Sequence, residues 1–135
     1  MPTLPWITPN PAEPGTRAVV MASRLEVRSL ADALRFLVKS LAVWRQLRTA
    51  PGALGGSLVA NPLRRTFYTL SAWESREALQ AYATAEPHRS VMIALRPGLK
   101  DSTMTRWEVP VAELPIRWDD ARRRLAEQRR TGARA

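Results

Sequence analysis

His88 is the single imidazole in a chain without cysteine, so within one subunit any step that needs a group titrating near neutral pH rests on it. It follows Pro87 and lies at i, i+3, i+4 and i+7 with Val91, Met92 and Leu95, a spacing that aims the ring at the apolar face of a helix. An imidazole so placed either acts as a general acid or base beside a bound substrate or makes a local hydrogen bond at a helix start. Trp73 and Tyr82 are the rings best placed to accompany it. They wall an aromatic pocket with one polar handle each, or pack as core. Trp44 and Trp107 are weaker candidates for the same wall. Arg89 and Arg96 follow His88, and either neutralise a bound carboxylate or face solvent.

The remaining chemistry is narrow. Without cysteine there are no disulfides, iron–sulfur clusters or thiolate zinc sites, and one histidine rules out a histidine-rich metal site within a subunit. No nucleophile paired with a base, phosphate-binding glycine loop or carboxylate metal cluster reaches motif strength. Glu74 and Glu77 are explained by the dipole of the helix they begin. The formal net charge is +9, but from Arg117 onward seven arginines face only Asp119, Asp120 and Glu127, so nearly half of the excess lies in one terminal segment. Charge spread in that way does not predict a nucleic-acid partner. No apolar run approaches the roughly 20 residues of a membrane span. Met1–Pro14 has neither the basic nor the apolar region of a secretory signal, and cytoplasmic residence is the expectation.

The elements that must position these residues can be read from periodicity. At 135 residues the chain has room for one domain with one core. Arg17–Val27 is β-branched and apolar on both faces, as a central strand requires. Ser29 then caps a helix running to about Thr49, whose stripe of Leu30, Leu34, Leu37, Leu41 and Trp44 is the expected buried face. Pro51-Gly52 stops it. Leu54–Ala60 forms a second strand, with Gly55 and Gly56 suggesting a bulge or a close backbone approach. Thr66–Trp73 is the clearest strand, with Phe67, Thr69, Ser71 and Trp73 on one face and Tyr68, Leu70 and Ala72 on the other. Ser75 caps a second helix, Pro87 opens a new turn at its first helical position, and Thr103–Val109 makes the last strand. Residues 1–16 read as a proline-rich arm, 17–110 as the α+β domain and 111–135 as a basic C-terminal helix and tail. Trp6 in the arm either packs over a neighbouring subunit or belongs to a disordered segment.

Strand, helix, strand, strand, helix, strand is the ferredoxin-like βαββαβ pattern, an α+β fold with an antiparallel sheet and both helices on one face. Strands that are apolar on both faces then need a second cover. A symmetry mate packed on the open face supplies it, so the pattern predicts a homodimer closed into an α+β barrel around an enclosed apolar site.

Within this frame, Thr69-Leu70-Ser71-Ala72-Trp73-Glu74-Ser75, then Ala78-Leu79-Gln80-Ala81-Tyr82-Ala83 and Pro87-His88-Arg89, resembles the dimeric α+β barrel superfamily over roughly Ala18 to Val109. Its best-known members are the antibiotic biosynthesis monooxygenases. Haem-degrading monooxygenases share the superfamily, and the order of strand tryptophan, helix and Pro-His is also similar to spheroidene monooxygenase. The resemblance implies a monooxygenase-like protein oxidising an apolar polycyclic or isoprenoid molecule in a barrel cavity, with Trp73, Tyr82 and His88 at the site. It implies either no cofactor or haem. With haem, His88 would be the axial metal ligand and Arg89 the partner of a propionate. Cofactor-free members use asparagine and tryptophan, and the asparagines here are Asn10 and Asn61. A binding protein that holds haem or another small molecule without turnover is the alternative.

Overall fold

A computed structural model of the protein describes residues 3–134. The order is β1 (Thr3–Ile7), β2 (Arg17–Val27), α1 (Leu30–Arg48), β3 (Ala53–Asn61), β4 (Thr66–Trp73), α2 (Arg76–Thr84), α3 (His88–Leu95), β5 (Leu99–Pro110) and α4 (Trp118–Arg134). The five strands form one antiparallel sheet in the order β1-β3-β4-β2-β5. From β2 to β5 this is the ferredoxin-like α+β arrangement expected, with the second crossover split into α2 and α3.

The register of β2 organises both faces. Val19, Met21, Ser23 and Leu25 stand opposite Trp73, Ser71, Thr69 and Phe67 of β4. Side chains alternate along a strand, so this set faces α1, α2 and α3 while Ala18, Val20 and Ala22 face the other way. Ser29 caps α1 by accepting the Asp32 amide at 3.1 Å and donating to the Asp32 carboxylate at 2.8 Å. The helix buries Ala33, Phe36 and Leu47. This differs from the leucine stripe expected, because Leu30, Leu34 and Leu41 are 51%, 53% and 48% exposed. The helix carries two adjoining apolar stripes, and the sheet takes the one whose Phe36 stacks on Phe67 at 4.3 Å. Leu37 and Trp44 stand half-buried at the border between them.

The sheet's second face is covered by the chain itself. Ile116, Ala121 and Leu125 pack on Val20, Leu70, Ala72 and Val109. Trp118 donates its indole N–H to Ser57 Oγ at 3.2 Å. Arg122 lies over the Tyr68 ring at 5.2 Å and Arg124 over Trp107 at 4.5 Å, so the basic helix is held to the sheet by its guanidinium planes as well as its apolar side. The premise that only one face is covered is therefore corrected: α4 occupies the place the strand pattern reserved for a second subunit.

Residues of the proline-rich arm also join the sheet. β1 pairs with β3, Leu4 O accepts from Ser57 Oγ at 2.8 Å, and Asn10 Nδ2 donates to Ala50 O and Ala53 O at 2.9 and 3.0 Å. An edge strand uses one side of its backbone for pairing, which is why Pro5 is tolerated in it. Trp6 packs on its own chain, flat against Gly55. Among the described residues no helix is long and apolar enough to cross a membrane.

A Cβ at Gly55 would overlap the Trp6 indole. Gly55→Ala is therefore expected to cost about 1–3 kcal/mol in chemical denaturation. The cost should shrink in a Trp6→Ala background, a coupling that independent sites would not show.

Candidate active site

The helix-facing positions of β4 are large at both ends and small between. Phe67 is filled over by Phe36 and Trp73 by Tyr82, with ring centroids 4.3 and 4.9 Å apart. Thr69 and Ser71, beside Met21 and Ser23 of β2, reach too little height to meet the helices. The result is a cavity of about 180 Å³ between the sheet and α1, α2 and α3, with Trp44, Tyr82, His88 and Met92 on its walls and Met104 of β5 at one side. This cavity is formed within one chain, between the sheet and its own helices.

His88 is fixed from two sides. Its ring Nδ1 is 2.9 Å from Ala83 O; a carbonyl only accepts, so Nδ1 carries the proton and Nε2 keeps its lone pair. Its main-chain N–H donates to Gln46 Oε1 at 2.8 Å, and Gln46 Nε2 donates to Tyr82 O at 3.1 Å. Gln46 of α1 therefore clips the end of α2 to the start of α3, with Pro87 as the N-cap of α3 rather than its first helical residue. Burial pushes the His88 pKa below the ordinary histidine value, opposed by the hydrogen bond to Ala83. Tyr82 donates its hydroxyl to Val43 O at 3.2 Å, and burial pushes the phenol far above its usual range, so it stays protonated.

The three residues chosen from sequence form one stack, Trp73 on Tyr82 and Tyr82 on His88, the latter pair 5.0 Å apart. Their positions differ. Tyr82 and His88 line the cavity, whereas Trp73 is fully buried behind Tyr82 and donates its indole N–H to Ser71 Oγ at 2.9 Å. Arg89 and Arg96 are exposed and outside the lining. Trp107 is on the opposite face of the sheet, under Arg124. Asn10 and Asn61 make loop and turn hydrogen bonds away from the cavity. The hydroxyls of Ser23, Thr69 and Ser71 were not singled out from sequence. Their signal was available: three small polar residues on a strand face that is otherwise apolar. Ser23 and Thr69 hydrogen-bond to each other.

Haem does not fit this cavity as it stands. Its 180 Å³ lies below the roughly 300–1,000 Å³ of ordinary ligand pockets, none of its described lining residues is Lys or Arg, and Arg89 is exposed and outside the lining. Among the described residues no three His, Cys, Asp or Glu side chains are grouped to hold a metal ion.

No protein-family model and no curated protein matches the sequence. Solved structures do match. SnoaB, a cofactor-independent oxygenase from Streptomyces nogalater, superposes with a TM-score of 0.52 at 14% identity, over 67% of this chain and 90% of its own. A candidate antibiotic biosynthesis monooxygenase from Nitrosomonas europaea gives 0.61 at 11% identity, over 67% of this chain and 88% of that one. The protein has the antibiotic biosynthesis monooxygenase fold. A candidate monooxygenase from Lactobacillus acidophilus NCFM gives 0.59 at 14% identity over 66% of this chain, which spans only 43% of that protein. At such identities the likeness establishes the fold and leaves the activity to the site.

Two measurements test this geometry. Trp73→Ala should cost about 3–5 kcal/mol, since the ring is fully enclosed, and stability unchanged on denaturation would refute its placement. The His88 imidazole, followed by NMR, should titrate below 6.5. Because the folded value is the lower one, this group withdraws stability as pH falls from about 6.5 toward it, and no further below it.

Proposed function

We propose that the protein is a small monooxygenase that oxidises an apolar molecule in the cavity between its sheet and α1, α2 and α3, without a cofactor. The observation that carries this reading is the half-buried imidazole on the wall of a largely apolar cavity, with Nδ1 engaged by Ala83 O and Nε2 left as a base. The fold shared with a cofactor-independent oxygenase supports it.

The chemistry asks little else of the chain. Nε2 takes a proton from an activated ring CH₂, and the resulting carbanion is electron-rich enough to reduce O₂ and form a carbon–oxygen bond. The imidazolium returns its proton to the peroxide, and loss of water leaves a ketone, so that R₂CH₂ and O₂ give R₂C=O and H₂O. The hydroxyl of Ser71, and that of whichever of Ser23 and Thr69 does not donate to the other, lie where they can donate to a substrate oxygen, and apolar walls keep water from the carbanion. A cavity of about 150 Å³ holds benzene, so one of 180 Å³ takes about one ring or a short isoprenoid chain as the buried part of the substrate.

The second reading is a protein that binds a small molecule without turnover. It is favoured by the fact that the Nδ1 of His88 and both ends of Gln46 already serve the junction of α2 and α3. A homodimer belongs to either reading, supported by the exposed stripe of Leu30, Leu34, Val38 and Leu41. Light scattering should then give twice the 15.1 kDa chain mass.

Oxygen uptake separates the two. With a panel of one- and two-ring phenols and cyclic 1,3-diketones, the wild type should consume oxygen with at least one compound. His88→Gln should lower that rate about 100-fold or more, and Arg89→Gln should leave it unchanged. The rate should fall as pH drops through a value below 6.5, because protonation removes the base. Binding without oxygen uptake across the panel would establish the second reading.

A further inference from the structure

Basic residues flank the cavity at its Met21 end. Along β2 the next residue on the same face is Val19, about 7 Å further on, and it borders a shallow groove shared with Arg17, Arg76, Arg106 and Glu108. The strand register sets the two spaces side by side. Met21, which lines the cavity, stands directly opposite Arg106, and Val19 stands opposite Glu108. On the helix side, Arg76 lies at i, i+3 and i+7 with Leu79 and Ala83, both of which line the cavity, so the face of α2 that walls the apolar space ends in a guanidinium. Arg106 is thus one same-face position beyond Met104 on β5, and Arg76 one helical turn before Leu79, so both guanidinium groups lie beside the cavity at its Met21 end.

The charges at that end are not balanced. Arg17 is paired with Glu108 at 3.8 Å. Among the described residues Arg76 and Arg106 have no carboxylate within ion-pair distance, and Glu108, the one carboxylate lining their groove, is already engaged by Arg17. We propose that the ligand of this protein is an amphipathic carboxylate, with an apolar ring or chain in the cavity and its carboxylate held at the mouth by Arg106 and Arg76. This rests on the cavity being the ligand site, and it deepens that reading by naming the ligand's charge. A carboxylate matches the planar fork of a guanidinium in geometry and charge. It also explains how an internal space of only 180 Å³ selects its ligand: the part that fits is small and featureless, and the part that identifies it remains outside.

The test uses 4-phenylbutyrate and its uncharged isostere 4-phenylbutyramide, titrated into the full-length protein without turnover and followed by calorimetry. The wild type should bind the carboxylate about tenfold or more tightly than the amide at low salt, with the advantage shrinking as salt is raised. Arg76→Gln/Arg106→Gln should bring the ratio close to one while retaining the amide's affinity, which shows the cavity intact. Arg89→Gln, on the other side of α3, should keep the wild-type ratio. Should the double variant lose the amide as well, each single variant must lower the ratio on its own. Equal affinity for the two probes, binding of neither by the wild type, or a preference that survives the double substitution overturns the proposal. A protein that prefers the carboxylate yet consumes no oxygen refutes the oxygenase reading alone.

Discussion

The size contrast along one strand face governs the rest of this structure. β4 presents Phe67, Thr69, Ser71 and Trp73 to the helices, and its two large rings prop α1 and α2 away from the sheet at either end. Close packing normally eliminates such a gap. Here it persists because neither Thr69 nor Ser71 can fill it and the helices, resting on Phe67 and Trp73, cannot descend. Void, aromatic stack and the position of His88 are consequences of the same four residues.

The structural bonds of His88 and its proposed chemistry use different atoms. Its amide and Nδ1 tie the junction between α2 and α3, while Nε2 remains unclaimed. That division is useful for a base, since an imidazole free to rotate would lose orientation at each proton transfer. The same division explains why the residue would be retained in a protein that only binds.

Strands β2 and β4 could be read to the residue because β-branched and aromatic alternation is strong there and is bounded by capping serines or turns. The contiguity of Trp73, Tyr82 and His88 was legible for a related reason: a strand ending in a ring, a capped helix and a Pro-His start leave few relative placements. The buried face of α1 was not legible. Its two apolar stripes differ little in composition, and only the position of Phe67, set by strand pairing, decides between them. β5 begins at Leu99, earlier than its apolar residues suggest, because Leu99, Asp101 and Ser102 are paired with β2, with Lys100 as the extra residue between them, rather than extended by any preference of their own. The prolines of the arm hid a strand that needs only one hydrogen-bonding edge. The meeting of Arg76 with Arg106 depends on register, which no local pattern encodes.

α4 follows in sequence every strand that it covers. During synthesis the strands emerge first, and Val20, Leu70 and Ala72 must wait for Ala121 and Leu125 before their face is closed. Pairing of β2 with β5 is similarly late, since Arg17 meets Pro110 across most of the chain. Until α4 is seated, one apolar face of the sheet therefore stays open to water. The segment that closes the face is also the most basic of the chain, and two of its seven arginines, Arg122 and Arg124, end stacked over Tyr68 and Trp107 of the sheet it covers.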